Sequence, residues 1–304
     1  KTGEVFFGVN VSGEEDKDVI YQPVYKVKGL AGAVYEITAD EDVITPDGTL
    51  RYHKGDVVDT VTTDEDGTAK SKELYLGKYT VVETKAPTGM VINKEKHSVE
   101  LTYAGQDVAV TETATSFVNE RQKVKISLEK ILEQDETFGI GKNDEIKNIS
   151  FGLYAKEDVV SSSGTVIPAD GLIEIITLDE NGAATANTDL PFGSYYVKEI
   201  ATDEHYILSD TQYPFTFEYA GQDTETVEIK VNDGKPIENK LIYGSVSGKK
   251  IDENGEALGG ALIGIFKADE TEYTKEHAIM TATSEKDGSF SFAKVPYGKW
   301  IVRE

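Results

Sequence analysis

Gly77-Lys78-Tyr79-Thr80-Val81-Val82-Glu83 reads as an aromatic β-strand closed by an acid, and the same phrase returns as GSYYVKE at 193–199 and GKWIVRE at 298–304. In every copy the Glu follows the Gly by six residues. Working outward, each copy is preceded by an acidic turn: Asp64-Glu65-Asp66-Gly67, Asp179-Glu180-Asn181-Gly182 and Lys286-Asp287-Gly288. These turn glycines precede their Glu by 16, 17 and 16 residues. Downstream, Tyr-Ala-Gly-Gln-Asp occurs at 103–107 and again at 219–223, both times starting 20 residues after the Glu. Landmarks at matched spacing mark an internal repeat. The chain therefore divides into unit one (1–121), unit two (122–241) and the front part of a third unit (242–304), with joints at NERQK (119–123) and ENKLIYG (238–244). Joints this short favour stacked neighbours over swinging ones.

Within a unit the pattern is all-β. Val124, Ile126 and Leu128 alternate with Lys125, Ser127 and Glu129, and D-G or N-G turns separate several such runs. No long window carries a helical period. About seven short strands per unit predict a two-sheet sandwich, with a closed barrel as the alternative.

Composition narrows function. A net charge of −24, from 31 Lys+Arg against 55 Asp+Glu, argues against nucleic acid and against anionic lipid, since both need clustered cations. There is no cysteine, so any covalent staple is not a disulfide. No apolar run is long enough to span a bilayer. The chain opens on Lys1 and closes on Glu304 without leader or anchor, which is expected of a piece of a longer secreted protein.

The units also share a family likeness. Leu30-Ala31-Gly32-Ala33 and Leu258-Gly259-Gly260-Ala261 each lead into a hydrophobic strand, and Ile149-Ser150-Phe151-Gly152 is a looser version. The run Glu83-Thr84-Lys85-Ala86-Pro87-Thr88-Gly89 follows the first aromatic strand, and unit one ends Phe117-Val118-Asn119. This resembles the B-type repeat of collagen-binding adhesins and of SpaA-type pilins of Gram-positive bacteria. Unit two departs from it, reading Glu199-Ile200-Ala201-Thr202-Asp203 with no proline. The resemblance implies tandem transthyretin-like (inverse immunoglobulin) β-sandwiches in a rod, and an intramolecular Lys–Asn isopeptide bond promoted by a buried Glu.

Unit two has the parts. Lys130 continues the inward alternation and so faces the core, where ionised lysine is rare unless paired. Asn239 lies where the last strand should run, and Glu199 shares the face of Val197. Burial is expected to lower the Lys130 pKa and raise that of Glu199. The amine would attack the Asn239 carboxamide carbon while Glu199 polarises the carbonyl and shuttles protons. Unit three offers Lys250 and Glu304 but no Asn partner. Unit one offers Glu83 and Asn119. Aligned on its inward residues, however, Val9 or Val11 takes the lysine's place, with Lys26 and Lys28 after an acidic stretch, Glu14 to Asp18. No crosslink is expected there.

No metal or other cofactor is expected. The acidic turns, including Asp252-Glu253-Asn254-Gly255, lack calcium-loop spacing. The four histidines, His53, His97, His205 and His277, lack zinc spacing. Gly139-Ile140-Gly141-Lys142 lacks the P-loop pattern. Three inserts, Gly13 to Tyr25, Glu133 to Ile146 and Asp158 to Ala169, fall outside the repeat and read as surface loops. The expectation is a monomeric, non-enzymatic stalk segment of an extracellular, cell-wall-attached adhesin or pilus-like protein, its partners being neighbouring repeats. The alternative is a module that itself binds a host matrix protein or glycan.

Overall fold

The computed structural model describes residues 1–13 and 19–304. The acidic stretch at 14–18 lies outside the described residues. Among them the architecture is β throughout, with 3-10 turns at Glu145–Asn148 and Val231–Gly234 and no α-helix.

Unit two shows the plan most fully. One sheet runs in the order Gln212–Phe217, Gly193–Ala201, Ser150–Ala155, Leu172–Thr177. The other is built on Lys123–Leu132, which pairs antiparallel with Ala183–Thr185 and parallel with both Thr226–Lys230 and Ile237–Asn239. Ile126, Phe151, Leu153, Ile173, Tyr195, Val197 and Phe217 fill the space between. Burying each such side chain contributes about 1.5–3 kcal/mol. Unit one repeats the first sheet as Lys96–Leu101, Gly77–Lys85, Val34–Ala39, Val57–Thr62. In unit three, Trp300–Arg303, Leu262–Lys267 and Met280–Thr283 form the same core order, while Tyr243–Lys249 pairs with Ser289–Pro296.

The repeated phrase has a local cause in every copy. The aromatic two residues past the glycine reaches back to a carbonyl four residues upstream. Tyr79 Oη donates to Tyr75 O at 2.6 Å, Tyr195 Oη to Pro191 O at 2.7 Å, and Trp300 Nε1 to Pro296 O at 2.8 Å. The L-x-G-A turn is likewise clipped by one buried hydroxyl. Thr63 Oγ1 donates to Leu30 O and accepts from Ala33 N, and Ser284 Oγ does the same for Leu258 and Ala261.

The three inserts do not stand free, contrary to the sequence expectation of surface loops. Thr2–Ser12 and Ile20–Gly29 form a hairpin, and Ile20 pairs with Leu172 so that the hairpin continues unit two's sheet. Its Phe6, Val9 and Tyr21 pack on the unit-two core. The insert around 158–169 forms its own hairpin and meets the first one, with Ser162 N and Ser163 N donating to Phe6 O and Phe7 O. The insert at 133–146 reaches unit three, where Phe138 meets Trp300 edge-on at 4.8 Å. Apolar residues in these segments are seam residues, which is why they break the repeat pattern.

Candidate functional site

Lys123–Leu132 delivers Lys130 into the core by alternation, and its parallel pairing with the last strand sets Leu132 opposite Asn239. A register shift brings in the acid. Phe151 pairs with Glu199 but Ser150 pairs with Ala201, leaving Ile200 as the extra residue of a bulge. The bulge keeps the carboxylate on the core face while the chain turns out to Thr202. The result is a closed polar cluster. Lys130 and Glu199 side chains are 0% and 1% exposed, with Nζ 3.1 Å from Glu199 Oε1. The amine donates to Asn239 Oδ1 at 2.5 Å. Asn239 Nδ2 donates to both Glu199 oxygens and to Thr202 Oγ1, each at 2.9 Å.

Burial depresses the Lys130 pKa, an effect partly opposed by the negative charge and hydrogen bond of Glu199. An amine without its charge is a nucleophile, and this one is held in contact with the carboxamide of Asn239. One detail differs from the sequence reading, which has Glu199 facing the carbonyl. The carboxyl faces the amide nitrogen, while the lysine faces the carbonyl oxygen.

In unit one the structure corrects the lysine's position. Thr2–Ser12 pairs parallel with Val118–Asn119, Thr2 against Val118 and Gly3 against Asn119, as Ile131 stands against Glu238 and Leu132 against Asn239. Two residues before Gly3 is Lys1, as Lys130 is two before Leu132. Lys1, not Val9 or Val11, therefore holds the lysine's place. Its side chain is 1% exposed and its Nζ lies 3.4 Å from Glu83 Oε1. Asn119 Nδ2 donates to Glu83 at 3.0 Å and to Val91 O at 2.8 Å. Burial lowers the Lys1 side-chain pKa as well, again against the pull of Glu83. The alternation Val5, Phe7, Val9, Val11 misled because it belongs to the hairpin. Lys26 and Lys28 are exposed, stacked over Phe7 at 3.7 and 4.9 Å.

The clusters are not identical. Ala86 stands three residues past Glu83 where Thr202 stands past Glu199, so Asn119 turns to a backbone carbonyl instead. Tyr35 replaces Phe151 opposite the acid. In unit three Lys250 Nζ reaches Glu304 Oε2 at 2.7 Å, but these side chains are 28% and 51% exposed.

The structure marks Lys1 by a backbone contact that sequence spacing does not carry. The turn glycines Gly67, Gly182 and Gly288 have φ between +77° and +81°, and a Cβ on them would come within 2.1, 2.2 and 2.3 Å of the carbonyl oxygens of Lys1, Lys130 and Lys250. Each acidic turn is thus clamped against its unit's lysine. The turn acids themselves cap their own loops: Asp64 Oδ1 accepts from Asp66 N and Thr68 N, Asp179 Oδ1 from Asn181 N and Ala183 N, and Asp287 Oδ1 from Ser289 N and Ser289 Oγ. Among the described residues no group of three His, Asp or Glu converges as metal ligands.

Comparison with known proteins agrees with this architecture. No curated protein matches the chain. Among solved structures, the Bacillus anthracis TIE protein is 20% identical over 97% of this chain with a TM-score of 0.58, and the chain spans 52% of that protein. BcpA, the major pilin subunit of Bacillus cereus, is 15% identical, covering 99% of this chain and 87% of its own at a TM-score of 0.31. A streptococcal ancillary pilin is 19% identical, with coverages of 90% and 82% and a TM-score of 0.30. The SpaA prealbumin-like fold domain matches at residues 24–115, 136–235 and 244–304. Matched three times over most of its length, the chain belongs to the SpaA prealbumin-like fold family.

Proposed function

We propose that the chain is a structural stalk segment of an extracellular, cell-wall-attached pilus- or adhesin-like protein of a Gram-positive bacterium, clamped by isopeptide bonds it forms within itself. The observation that carries this reading is the water-excluded contact of Lys130 Nζ with Asn239 Oδ1 at 2.5 Å, beside Glu199.

The reaction balances within the three side chains. Proton transfer within the Lys130–Glu199 pair leaves a neutral amine and a protonated carboxyl; the amine attacks Asn239 Cγ, and the new C–N bond makes a tetrahedral centre. Glu199, facing Nδ2, gives its proton to the departing nitrogen and takes one from the lysine nitrogen. The Cγ–Nδ2 bond breaks and ammonia leaves, so the carboxyl ends as it began. No diffusible substrate turns over, and the protein is not an enzyme in that sense. We extend the proposal to Lys1 and Asn119, which share the register and burial of the first pair, in place of the sequence expectation that unit one is uncrosslinked.

Such a bond ties the first strand of a unit to its last, so tension passes through covalent bonds rather than through the strand ladder. It also restricts the unfolded chain, by about 4–5 kcal/mol for a loop near 110 residues. The inserts are folded into the seams, which favours a stalk over a module that binds host matrix or glycan through those loops. Intact mass with peptide mapping tests the proposal. Each bond makes the chain lighter by one ammonia, and a mapped Lys130–Asn239 branch is expected. A full-mass chain with Lys130 and Asn239 recovered in separate peptides sinks it.

A further inference from the structure

The pentapeptide Tyr-Ala-Gly-Gln-Asp occurs twice, and only one copy is in use. In unit two it is the seam with unit one. Tyr219 Oη donates to Met90 O at 3.1 Å. Gln222 Oε1 accepts from Ala86 N and Gln222 O accepts from Ile92 N, both at 2.9 Å. Asp223 pairs with Lys94 at 3.1 Å. Gln122, fully buried, closes the joint from below, accepting from Ala220 N and donating to Gly221 O and Thr224 O. The Ala86-Pro87-Thr88-Gly89-Met90 turn of unit one thus sits in a cradle made by the pentapeptide, with Gly89 against the ring of Phe192.

Unit one carries the same five residues at 103–107 with nothing seated on them. Tyr103 is 68% exposed, and Gln106 and Asp107 are exposed. Among the described residues no hydrogen bond or ion pair engages these three side chains. Leu76, the counterpart of Phe192 beside the strand-opening glycine, is exposed too. A second, independent feature lies beside it. In unit two, Val227 and Ile229 pair with Val124 and Ile126 of the strand that leads out of the seam. Directly after the unit-one pentapeptide, Val108 and Val110 also alternate with small or polar residues, stand exposed, and belong to no strand. An apolar, alternating segment without a strand partner, next to an unused polar cradle, has the shape and chemistry of half an interface.

We infer that the 103–110 face of unit one is a docking surface for another unit of the same type, one that presents a free Ala-Pro-x-Gly-Met turn, a Gln three residues past its last-strand Asn, and an outgoing strand of the Lys123–Leu132 kind. The identity of the pentapeptide fixes the occupant. Its Tyr reads a turn carbonyl, its Gln reads the amide before the proline, and its Asp reads a lysine, as the second copy does in unit two. This chain's own turn and Gln122 are already engaged by unit two, so the occupant is a further unit and not a rearrangement of this one.

The registers supply the test. Because Lys1 stands where Lys130 stands, residues 1–129 are one complete period, and a copy of them joined ahead of Lys1 brings a turn, a Gln122 and an outgoing strand to the vacant face in the native arrangement. Hydrogen exchange is read at 104–110 in the chain alone and in the extended chain. Docking raises protection there by about tenfold or more, and Tyr103 becomes shielded from nitration. Gln106→Ala in unit one, or Gln122→Ala in the added copy, is expected to reverse most of that gain, while Gln106→Ala changes nothing in the unextended chain. Equal exchange with and without the added copy overturns the inference. So does a gain that neither glutamine substitution touches. Should the added copy fold poorly, low protection in its own Gly77–Lys85 strand reports it, and the same comparison is made on the shorter addition of residues 119–129, which carries Gln122 and the outgoing strand and needs no fold of its own.

Discussion

Gly182 lies so close under Lys130 that a Cβ built on it would stand 2.2 Å from the lysine's carbonyl oxygen. The contact is reciprocal, since Lys130 N donates to Gly182 O at 2.7 Å. With φ at +81°, the position excludes a side chain on both conformational and steric grounds. Gly182→Ala should therefore destabilise unit two by at least about 1–3 kcal/mol from backbone strain alone. It should also push the Lys130 backbone outward, lifting the amine away from Asn239. Denaturant melts and the ammonia-loss fraction are the two readouts. A variant with full stability and full crosslinking would show that the turn does not position the lysine.

Much of the site was legible because alternation and the repeat speak about the same residues. Lys130 breaks an apolar face at the one place where a charge has no business, and Glu199 and Asn239 recur as Glu83 and Asn119. Lys1 was not legible by spacing, because the segment between each lysine and its next strand varies freely in length. In unit one it is a whole hairpin, whose valines imitate the missing core alternation while serving the neighbouring unit. Only the fold discloses the lysine's partner, the turn glycine, because that pairing is a backbone contact across the unit and the number of residues between the two changes with the insert. The two pentapeptides marked the repeat but gave no hint of being half a joint, because their hydrogen bonds go to a different unit.

The seam between units two and three rests on Phe138, which an insert of unit two places against Trp300 and the unit-three core. The ring is 4% exposed, so Phe138→Ala removes a buried aromatic from one side of a joint. A loss of about 2–4 kcal/mol is expected, somewhat below a core truncation because the seam can close partly over the gap. Unit three should bear it. Calorimetry should show a transition for unit three moving to lower temperature while that of unit two stays. A uniform shift of the whole trace would place Phe138 in unit two's own core instead.

The pH dependence of an uncrosslinked unit two has a definite sign. In Asn239→Ala the bond cannot form, and Lys130 remains a buried amine beside Glu199. Its folded pKa lies below the unfolded value of 10.5, with burial as the main cause. Between the two values the unfolded chain binds more protons than the folded one, so stability rises with pH across that window and levels off near 10.5. Each tenfold fall in proton affinity is worth about 1.4 kcal/mol. Buried Tyr195 acts the other way: burial raises its pKa, so the unfolded chain loses tyrosine protons first and stability falls above pH ~10. The lysine's share is isolated by comparing Asn239→Ala with Lys130→Met/Asn239→Ala in urea at several pH values below about 10. The gap between the two proteins should narrow as pH rises, because only the first must bury a chargeable amine. A gap that stays constant would mean the amine is solvated, and a lysine in water would be protonated and unable to attack Asn239.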